Sequence, residues 1–454
     1  MLLVSCRSGV ISQTTREAVP SPPGCREALV PEPVFHGTAY IIEAGMEHAV
    51  SVVLVHGLGD NGARDWDHLI PALAEHYHVV AFDLPGFGRS SRQNENYRPA
   101  RYAEFVNWVI GRTVNGPFVL IGHSLGGAVA LRVATMSPPG LQRVIVADVA
   151  GILHRVAFTH HIARLTPRQW QASLPGNPID TVNDLARAFL DIMDRESISK
   201  NLEGLLDAPA LRIAVLGSDP KKIAALALII DDYSEVIDQV RTPVLILWGE
   251  NDAIAPLRTS RILAGRLPDS RLEIIRGAGH VPMLEQPEQF NRIVLREIAS
   301  DPLAGRNPAA GEPAGTSDRV GSCSRQDGMK FTGAYRLIEV KDCRHVEIAN
   351  VTAGKLDVTD SEVVIENSRI ISGAVSLKAD RSELVLTNVT VEGDVAIETS
   401  QSRFDLAGVK LVGKKAAVSA KRDSVLIFSV SRIESPHTTG TLHGSRTVTA
   451  EKPL

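Results

Sequence analysis

Hydrophobic residues of the first 300 positions gather in short runs separated by amphipathic stretches. The runs are Ser51-Val52-Val53-Leu54-Val55, Val79-Val80-Ala81-Phe82, Phe118-Val119-Leu120-Ile121, Val144-Ile145-Val146, Val244-Leu245-Ile246-Leu247-Trp248 and Leu272-Glu273-Ile274-Ile275. Each is rich in β-branched residues and nearly continuous, as expected of strands buried on both faces of a parallel sheet. Residues 65–76, 100–112 and 126–136 carry helical spacing between them. Strand–helix alternation predicts an α/β fold with a doubly wound, mostly parallel sheet. One connection is long. Between Val149 and Val244 the apolar positions, for example Val182 to Leu206, keep helical spacing, and Asp219-Pro220 reads as a helix start. A helical insertion over 152–240 predicts a cap above a site, or else a further packing layer.

Beyond residue 300 the pattern changes twice. Residues 301–328 are rich in Gly, Pro, Ala and Ser, a linker composition. From about 336 a repeat appears. Val363-Val364-Ile365-Glu366-Asn367 recurs as Leu384-Val385-Leu386-Thr387-Asn388, then in weaker form at Phe404 and Leu426, with Val346-Glu347-Ile348-Ala349-Asn350 as an earlier copy. Gly373, Gly393 and Gly413 follow the same spacing of 20. That period and those short strands predict stacked coils, a short right-handed parallel β-helix of four or five turns; evenly spaced strands of a β-sandwich are the alternative. Asn350, Asn367 and Asn388 are candidates for an amide ladder along one corner. The expected organisation is a disordered leader or tether (1–33), an α/β domain (34–300), a flexible linker (301–328), the repeat domain (329–436) and a disordered tail (437–454).

Composition narrows the function classes. Apolar residues make up 44% of the 454 and charged residues 22%, as in ordinary globular proteins. A net charge of -4 and the lack of a basic run predict no nucleic-acid partner. No apolar run is long enough for a transmembrane helix. Leu3-Val4-Ser5-Cys6 has the form of a lipoprotein processing site, but only five residues precede the Cys. Lipidation at Cys6 would attach the chain to a membrane and place it in the cell envelope; without it the chain is expected in the cytoplasm. Cys6, Cys25, Cys323 and Cys343 have no metal spacing, which predicts no zinc site. Cys323 and Cys343 could pair or stay as thiols.

The candidate chemistry centres on Gly122-His123-Ser124-Leu125-Gly126. It follows a predicted strand and precedes a predicted helix, so Ser124 sits at a sharp turn at the carboxyl end of the sheet. A serine hydroxyl needs a base. His280, in a glycine-lined loop after the last core strand, is the candidate base. Asp252, after the strand 244–248, is the candidate orienting acid, with Asp148 and Glu250 as rivals. The backbone N–H groups of Leu58 and Leu125 are candidates for an oxyanion hole. His56 is expected to act as a structural hydrogen-bonder.

Four motifs together carry a resemblance: His56-Gly57-Leu58-Gly59-Asp60, Asp83-Leu84-Pro85-Gly86-Phe87-Gly88-Arg89-Ser90, the Ser124 pentapeptide, and Trp248-Gly249-Glu250-Asn251-Asp252 with Gly279-His280. Over residues 50–298 the chain resembles the α/β-hydrolase superfamily, in the branch holding esterases, epoxide hydrolases, dehalogenases and carbon–carbon bond hydrolases. The resemblance implies a serine hydrolase with a Ser124, His280, Asp252 triad, acting without metal or organic cofactor on a small-molecule ester or acyl substrate. Serine rather than aspartate at the nucleophile position sets aside dehalogenase and epoxide chemistry and leaves carbon–carbon cleavage as the alternative. Another alternative is a surface-attached binding protein whose repeat domain meets a glycan or protein partner.

Overall fold

The computed structural model describes residues 25–59, 61–165, 201–300, 317–436, 438–450 and 452–454. The predicted runs form one eight-stranded sheet. Its strands are β1 (Arg26–Pro31), β2 (Thr38–Ala44), β3 (Ser51–Val55), β4 (His78–Phe82), β5 (Phe118–His123), β6 (Leu141–Ala147), β7 (Val244–Gly249) and β8 (Ser270–Ile275), in the order β1-β2-β4-β3-β5-β6-β7-β8. β1 and β2 are antiparallel to their neighbours, and the rest are parallel. Alternate residues of the runs feed two separate cores. Val53, Val55, Leu120, Val144, Val146 and Ile246 pack on one face. Val52, Leu54, Val119, Ile121, Ile145 and Leu247 pack on the other. Near-continuous apolar runs are thus the signature of helices on both faces.

The helices are α1 (Leu69–Ala74), α2 (Pro99–Thr113), α3 (Leu125–Thr135), α4 (Arg155–Arg164), α5 (Leu202–Asp207), α6 (Pro209–Leu216), α7 (Pro220–Ile230), α8 (Ser234–Gln239), α9 (Leu257–Arg266), α10 (Pro282–Glu285) and α11 (Pro287–Ala299). α4 to α8 occupy the long β6–β7 connection, where helices were expected; residues 166–200 of that connection lie outside the described residues. Asp219 caps α7, its carboxylate accepting the Lys221 N–H at 2.9 Å. No described helix is long and apolar enough to cross a membrane.

The C-terminal part is an all-β domain around its own apolar interior. It contains β9 (Val320–Ser324), β10 (Lys330–Lys341), β11 (Val346–Thr359), β12 (Glu362–Glu366), β13 (Arg369–Ile371), β14 (Val375–Asp380), β15 (Glu383–Thr387), β16 (Thr390–Ser400), β17 (Arg403–Ala407), β18 (Lys410–Ala420), β19 (Ser424–Ser435) and β20 (Thr438–Val448). Its strand pairs are parallel, apart from the antiparallel pair of β19 and β20. The register aligns the sequence repeats: Val346 faces Val363, Val363 faces Leu384, Leu384 faces Phe404 and Phe404 faces Leu426. Cys323 and Cys343 form a disulfide.

Four expectations are corrected. Part of the expected leader is strand β1, because Glu27-Ala28-Leu29-Val30 extends the sheet edge and Pro31 sits at the strand's end, where a missing N–H is tolerated. The end of the expected linker is β9, paired with β10. Most of the expected tail is β20, which covers the edge of β19. The asparagine ladder is replaced by a serine ladder. The Oγ atoms of Ser361, Ser382, Ser402 and Ser424 accept the N–H groups of Cys343, Ser361, Ser382 and Ser402 at 3.0–3.2 Å. Asn350, Asn367 and Asn388 instead supply left-handed turns, with φ of 55°, 47° and 52°. The Asn388 amide donates to the Arg261 carbonyl at 2.6 Å, outside its own domain.

That contact belongs to a polar seam between the domains. Arg258 of α9 makes a bidentate pair with Asp405 at 2.7 and 3.1 Å and also donates to Thr387 Oγ1 at 2.7 Å and the Leu386 carbonyl at 2.9 Å. Arg261 pairs with Glu366 at 2.5 Å, and the His154 N–H donates to Ser429 Oγ at 2.8 Å. Paired, half-buried charges of this kind leave a costly orphan when one partner is removed. Arg258→Ala and Asp405→Ala, alone and combined, should show a coupling of at least about 1 kcal/mol in thermal or urea unfolding. Additive losses would show that the pair does not hold the domains together.

Candidate active site

The Ser124 turn is a steric construction. β5 ends at His123 and α3 begins at Leu125, so one residue reverses the chain. Ser124 adopts φ 52°, ψ -115°. Such a conformation is strained for a residue with a Cβ and persists only where its surroundings hold it. A Cβ on Gly122 would lie 2.2 Å from the Gly126 carbonyl oxygen, and one on Gly126 would lie 2.2 Å from the Val55 carbonyl oxygen. The two glycines of the pentapeptide therefore let α3 press against β5 and the end of β3. The Ser124 N–H is tied to the Ala147 carbonyl at 2.9 Å. The amino end of α3 is aimed at the serine side chain, where it favours negative charge.

Loops from β7 and β8 meet this turn. His280 Nε2 lies 3.1 Å from Ser124 Oγ, and His280 Nδ1 lies 2.8 Å from Asp252 Oδ2. All three residues are buried. Asp252 is held in place because its Oδ1 accepts the N–H groups of Ile254 at 2.8 Å and Ala255 at 3.0 Å. The loops approach so closely that a Cβ on Gly249 would sit 1.9 Å from the Gly279 carbonyl oxygen. Glu250 faces elsewhere and accepts the Gly277 N–H at 3.0 Å. The imidazole bonds Asp252 and not Asp148, whose Oδ1 accepts the Gly249 N–H at 2.8 Å. Donor atoms of Asp148, Asp252 and His280 all fall within 4.8 Å of one another, a set that by type could ligate a cation. The 2.8 Å His280–Asp252 contact, with Nε2 turned to Ser124, has the pattern of a proton relay.

The loop after β3 lies beside the serine: a Cβ on Gly57 would sit 2.9 Å from Ser124 Cβ. Leu58 follows Gly57 in this loop, and Leu125 opens α3 directly after Ser124. His56 points away from it. Its Nε2 accepts the Leu84 N–H at 2.9 Å and its Nδ1 donates to the Gly57 carbonyl at 2.7 Å. Asp83 accepts the N–H groups of Ala63 and Arg89, both at 2.7 Å, which makes the 83–90 motif a structural turn.

Residues not singled out in the sequence support His280. His123 Nε2 donates to the His280 carbonyl at 2.7 Å. Burial, reinforced by the neighbouring His280, pushes the His123 pKa down to about 3, so this ring stays neutral. Glu285 accepts the N–H groups on both sides of His280, those of Gly279 and Val281. Burial raises its pKa. His161 of α4 bonds the Ala253 carbonyl at 2.7 Å, tying α4 to the loop of Asp252. A signal for the Glu285 clamp existed: a glutamate a few residues after His280, just past a Val-Pro helix start.

The family model described as "Alpha/beta hydrolase family" matches residues 52–293. The chain belongs to this family. It is an enzyme, a hydrolase. Among relatives of this hydrolase, a pimeloyl-[acyl-carrier protein] methyl ester esterase of Aeromonas hydrophila is 31% identical over 248 residues, covering 54% of this chain and 93% of that protein. An uncharacterized protein of Mycobacterium tuberculosis is 27% identical over 275 residues, covering 57% of this chain and 78% of that protein. A solved esterase from Exiguobacterium antarcticum superposes with a TM-score of 0.45 at 21% identity, covering 60% of this chain and 99% of that one. The family match ends before the all-β domain of this hydrolase.

A histidine kept neutral in the fold but free to protonate when unfolded makes stability fall with pH. For His123 the loss begins below the ordinary value of 6.5 and runs down to about 3. His123→Gln, whose amide nitrogen reaches the position of Nε2 and can still donate to the His280 carbonyl, should remove one proton from that dependence. Between pH 6 and 4 its unfolding free energy should fall less steeply than that of the parent, by about 1.4 kcal/mol per pH unit. Equal slopes in denaturant titrations would show that His123 is not held neutral.

Proposed function

We propose that this hydrolase cleaves a carboxylic ester through an acyl-enzyme, with Ser124 as nucleophile, His280 as general base and then general acid, and Asp252 as the orienting carboxylate. The observation that carries the reading is the unbroken line from Ser124 Oγ to His280 Nε2 at 3.1 Å and from His280 Nδ1 to Asp252 at 2.8 Å. Ser124 Oγ adds to the ester carbonyl as its proton passes to His280 Nε2. Asp252 stabilises the imidazolium and keeps the Nδ1 proton in place. The backbone N–H groups of Leu58 and Leu125 receive the oxyanion; one such donor is worth roughly 3–4 kcal/mol. His280 then protonates the leaving alcohol, and water enters by the reverse sequence to release the acid. No step calls for a metal or organic cofactor.

The ester hydrolase among the relatives, at 31% identity, supports an ester in preference to a carbon–carbon bond as the scissile group. The helices over 202–239 are read as part of a cap that shapes the substrate pocket. The all-β domain is read as a short parallel β-helix, each repeat being one coil. The reading rests on the aligned parallel register and on the serine ladder running from coil to coil.

Ser124→Ala should abolish both labelling by a fluorophosphonate probe and hydrolysis of p-nitrophenyl esters, a loss of at least about 10³-fold in kcat/KM. A variant that keeps either property sinks the nucleophile assignment. If the parent instead cleaves a vinylogous diketone faster than any ester in a panel of chain lengths, the carbon–carbon alternative replaces ester hydrolysis.

A further inference from the structure

Three donor groups meet behind the serine, while the relay above uses only two. The third is Asp148, at the end of β6 in the gap between β6 and β7. Its backbone is held in the left-handed region at φ 46°, an uncommon conformation for a residue other than glycine. The Asp148 N–H donates to the Leu247 carbonyl at 3.1 Å, and Oδ1 accepts the Gly249 N–H at 2.8 Å. The residue is fully buried. Its Oδ2 is sealed from solvent and has no donor to accept from among the described residues. What Oδ2 does have nearby is the carboxylate of Asp252, inside the cluster that spans no more than 4.8 Å.

Two carboxyl groups this close and this buried do not both ionise. The surroundings decide which one holds the charge. Asp252 accepts two backbone N–H groups and faces the Nδ1 of His280. Asp148 accepts one. As an anion Asp148 would carry an orphaned, buried acceptor; as an acid its O–H finds an acceptor in Asp252. We infer that Asp148 is a positioning residue of the relay: its carboxyl stays neutral and donates its O–H to the carboxylate of Asp252. The inference rests on the relay reading, in which Asp252 is the working anion. The hydrogen bond fixes the rotation of the Asp252 carboxylate and draws some of its charge away from His280. Other titratable groups around the pair are His280 from the β8 loop, Glu285 from α10 and His161 from α4, the last through the Ala253 carbonyl next to Asp252. Burial first, then the adjacent Asp252, raises the Asp148 pKa well above its ordinary value.

The test compares Asp148→Asn and Asp148→Ala in the full chain, with Ser124→Ala and Asp252→Ala as references. Asparagine keeps both bonds: its carbonyl accepts from Gly249 and its amide donates to Asp252. Asp148→Asn should therefore keep kcat/KM within about threefold and leave the acid limb of its pH profile in place. Asp148→Ala should lower kcat by about 10- to 100-fold with little change in KM, and move that limb to higher pH as Asp252 regains its full pull on His280. Unfolding supplies a second readout that does not depend on activity. A neutral Asp148 binds a proton that the unfolded chain releases above its ordinary value of 3.8, so parent stability should lose one proton's worth of slope relative to Asp148→Asn between about pH 5 and 8.

An acid limb shifted to lower pH in Asp148→Asn, or equal unfolding slopes, would mean that Asp148 is ionised and overturns the inference. Parent-like kinetics in a folded Asp148→Ala would overturn the positioning role. Should Asp148→Ala not fold, the Asn variant still decides the protonation state. Failure of the relay itself is read separately, as fluorophosphonate labelling that survives Ser124→Ala or full turnover in Asp252→Ala.

Discussion

Everything at the site follows from how closely the first turn of α3 is pressed onto the sheet. Gly122 and Gly126 have no room for a Cβ, and a left-handed Ser124 is the one residue between strand and helix. The contact fixes where the serine oxygen can be: above the carboxyl edge of β5, at the end of the sheet where the loops after β3, β7 and β8 converge. A second close approach, Gly249 against the Gly279 carbonyl, locks the acid loop to the histidine loop. Neither approach adds chemistry of its own. Together they bring three side chains from distant parts of the sequence to within hydrogen-bond distance, without relying on the flexibility of any of them.

The electrostatics follow from the same crowding. Burial keeps His123 neutral, so its ring serves as a clamp on the His280 carbonyl and does not compete for the proton. Glu285 accepts the backbone N–H groups on either side of His280. Asp252 collects the backbone donors and Asp148 is left with one, so the single negative charge of the pair is directed to the carboxylate that touches the imidazole. Negative charge is placed by counting N–H groups, a more dependable device in a dry site than distance alone.

The sheet was legible because strands buried on both faces leave an unbroken apolar run, as Val52 to Val55 do. The three side chains of the relay were legible because each is bracketed by glycines or follows a core strand, and those brackets are steric necessities. Edge elements were not legible. β1 and β20 each satisfy one neighbour and bury little, so their polar and proline-rich sequences matched leader and tail. The serine ladder escaped notice because Ser361, Ser382 and Ser402 sit just after the left-handed residues Asp360, Arg381 and Gln401, outside the hydrophobic motif that defined the repeat. Asn350, Asn367 and Asn388 are placed by their left-handed backbone rather than by what their amides can bond. The partnership of Asp148 with Asp252 depends on which neighbour supplies which N–H, and that is a property of the folded loops alone.

The remaining question is why an all-β domain should be joined to such a site. α9 begins five residues after Asp252 and presents Arg258 and Arg261, one turn apart, to Asp405 and Glu366. A Cβ on Gly265 of the same helix would meet the Asn388 side-chain amide at 2.6 Å, so that side chain packs directly on the backbone of α9. Further along, Arg266 is shared between Asp238 of α8 and the carbonyl of Val430, a β-branched residue at φ 43°. On the cap side, the His154 N–H is bound by Ser429. The helix that follows the acid loop and the start of the β6–β7 connection are therefore both bonded to the all-β domain. Within that domain each repeat is bonded to the next along a parallel register. The Asp252 loop runs directly into α9, which the bidentate Arg258–Asp405 pair ties to the all-β domain.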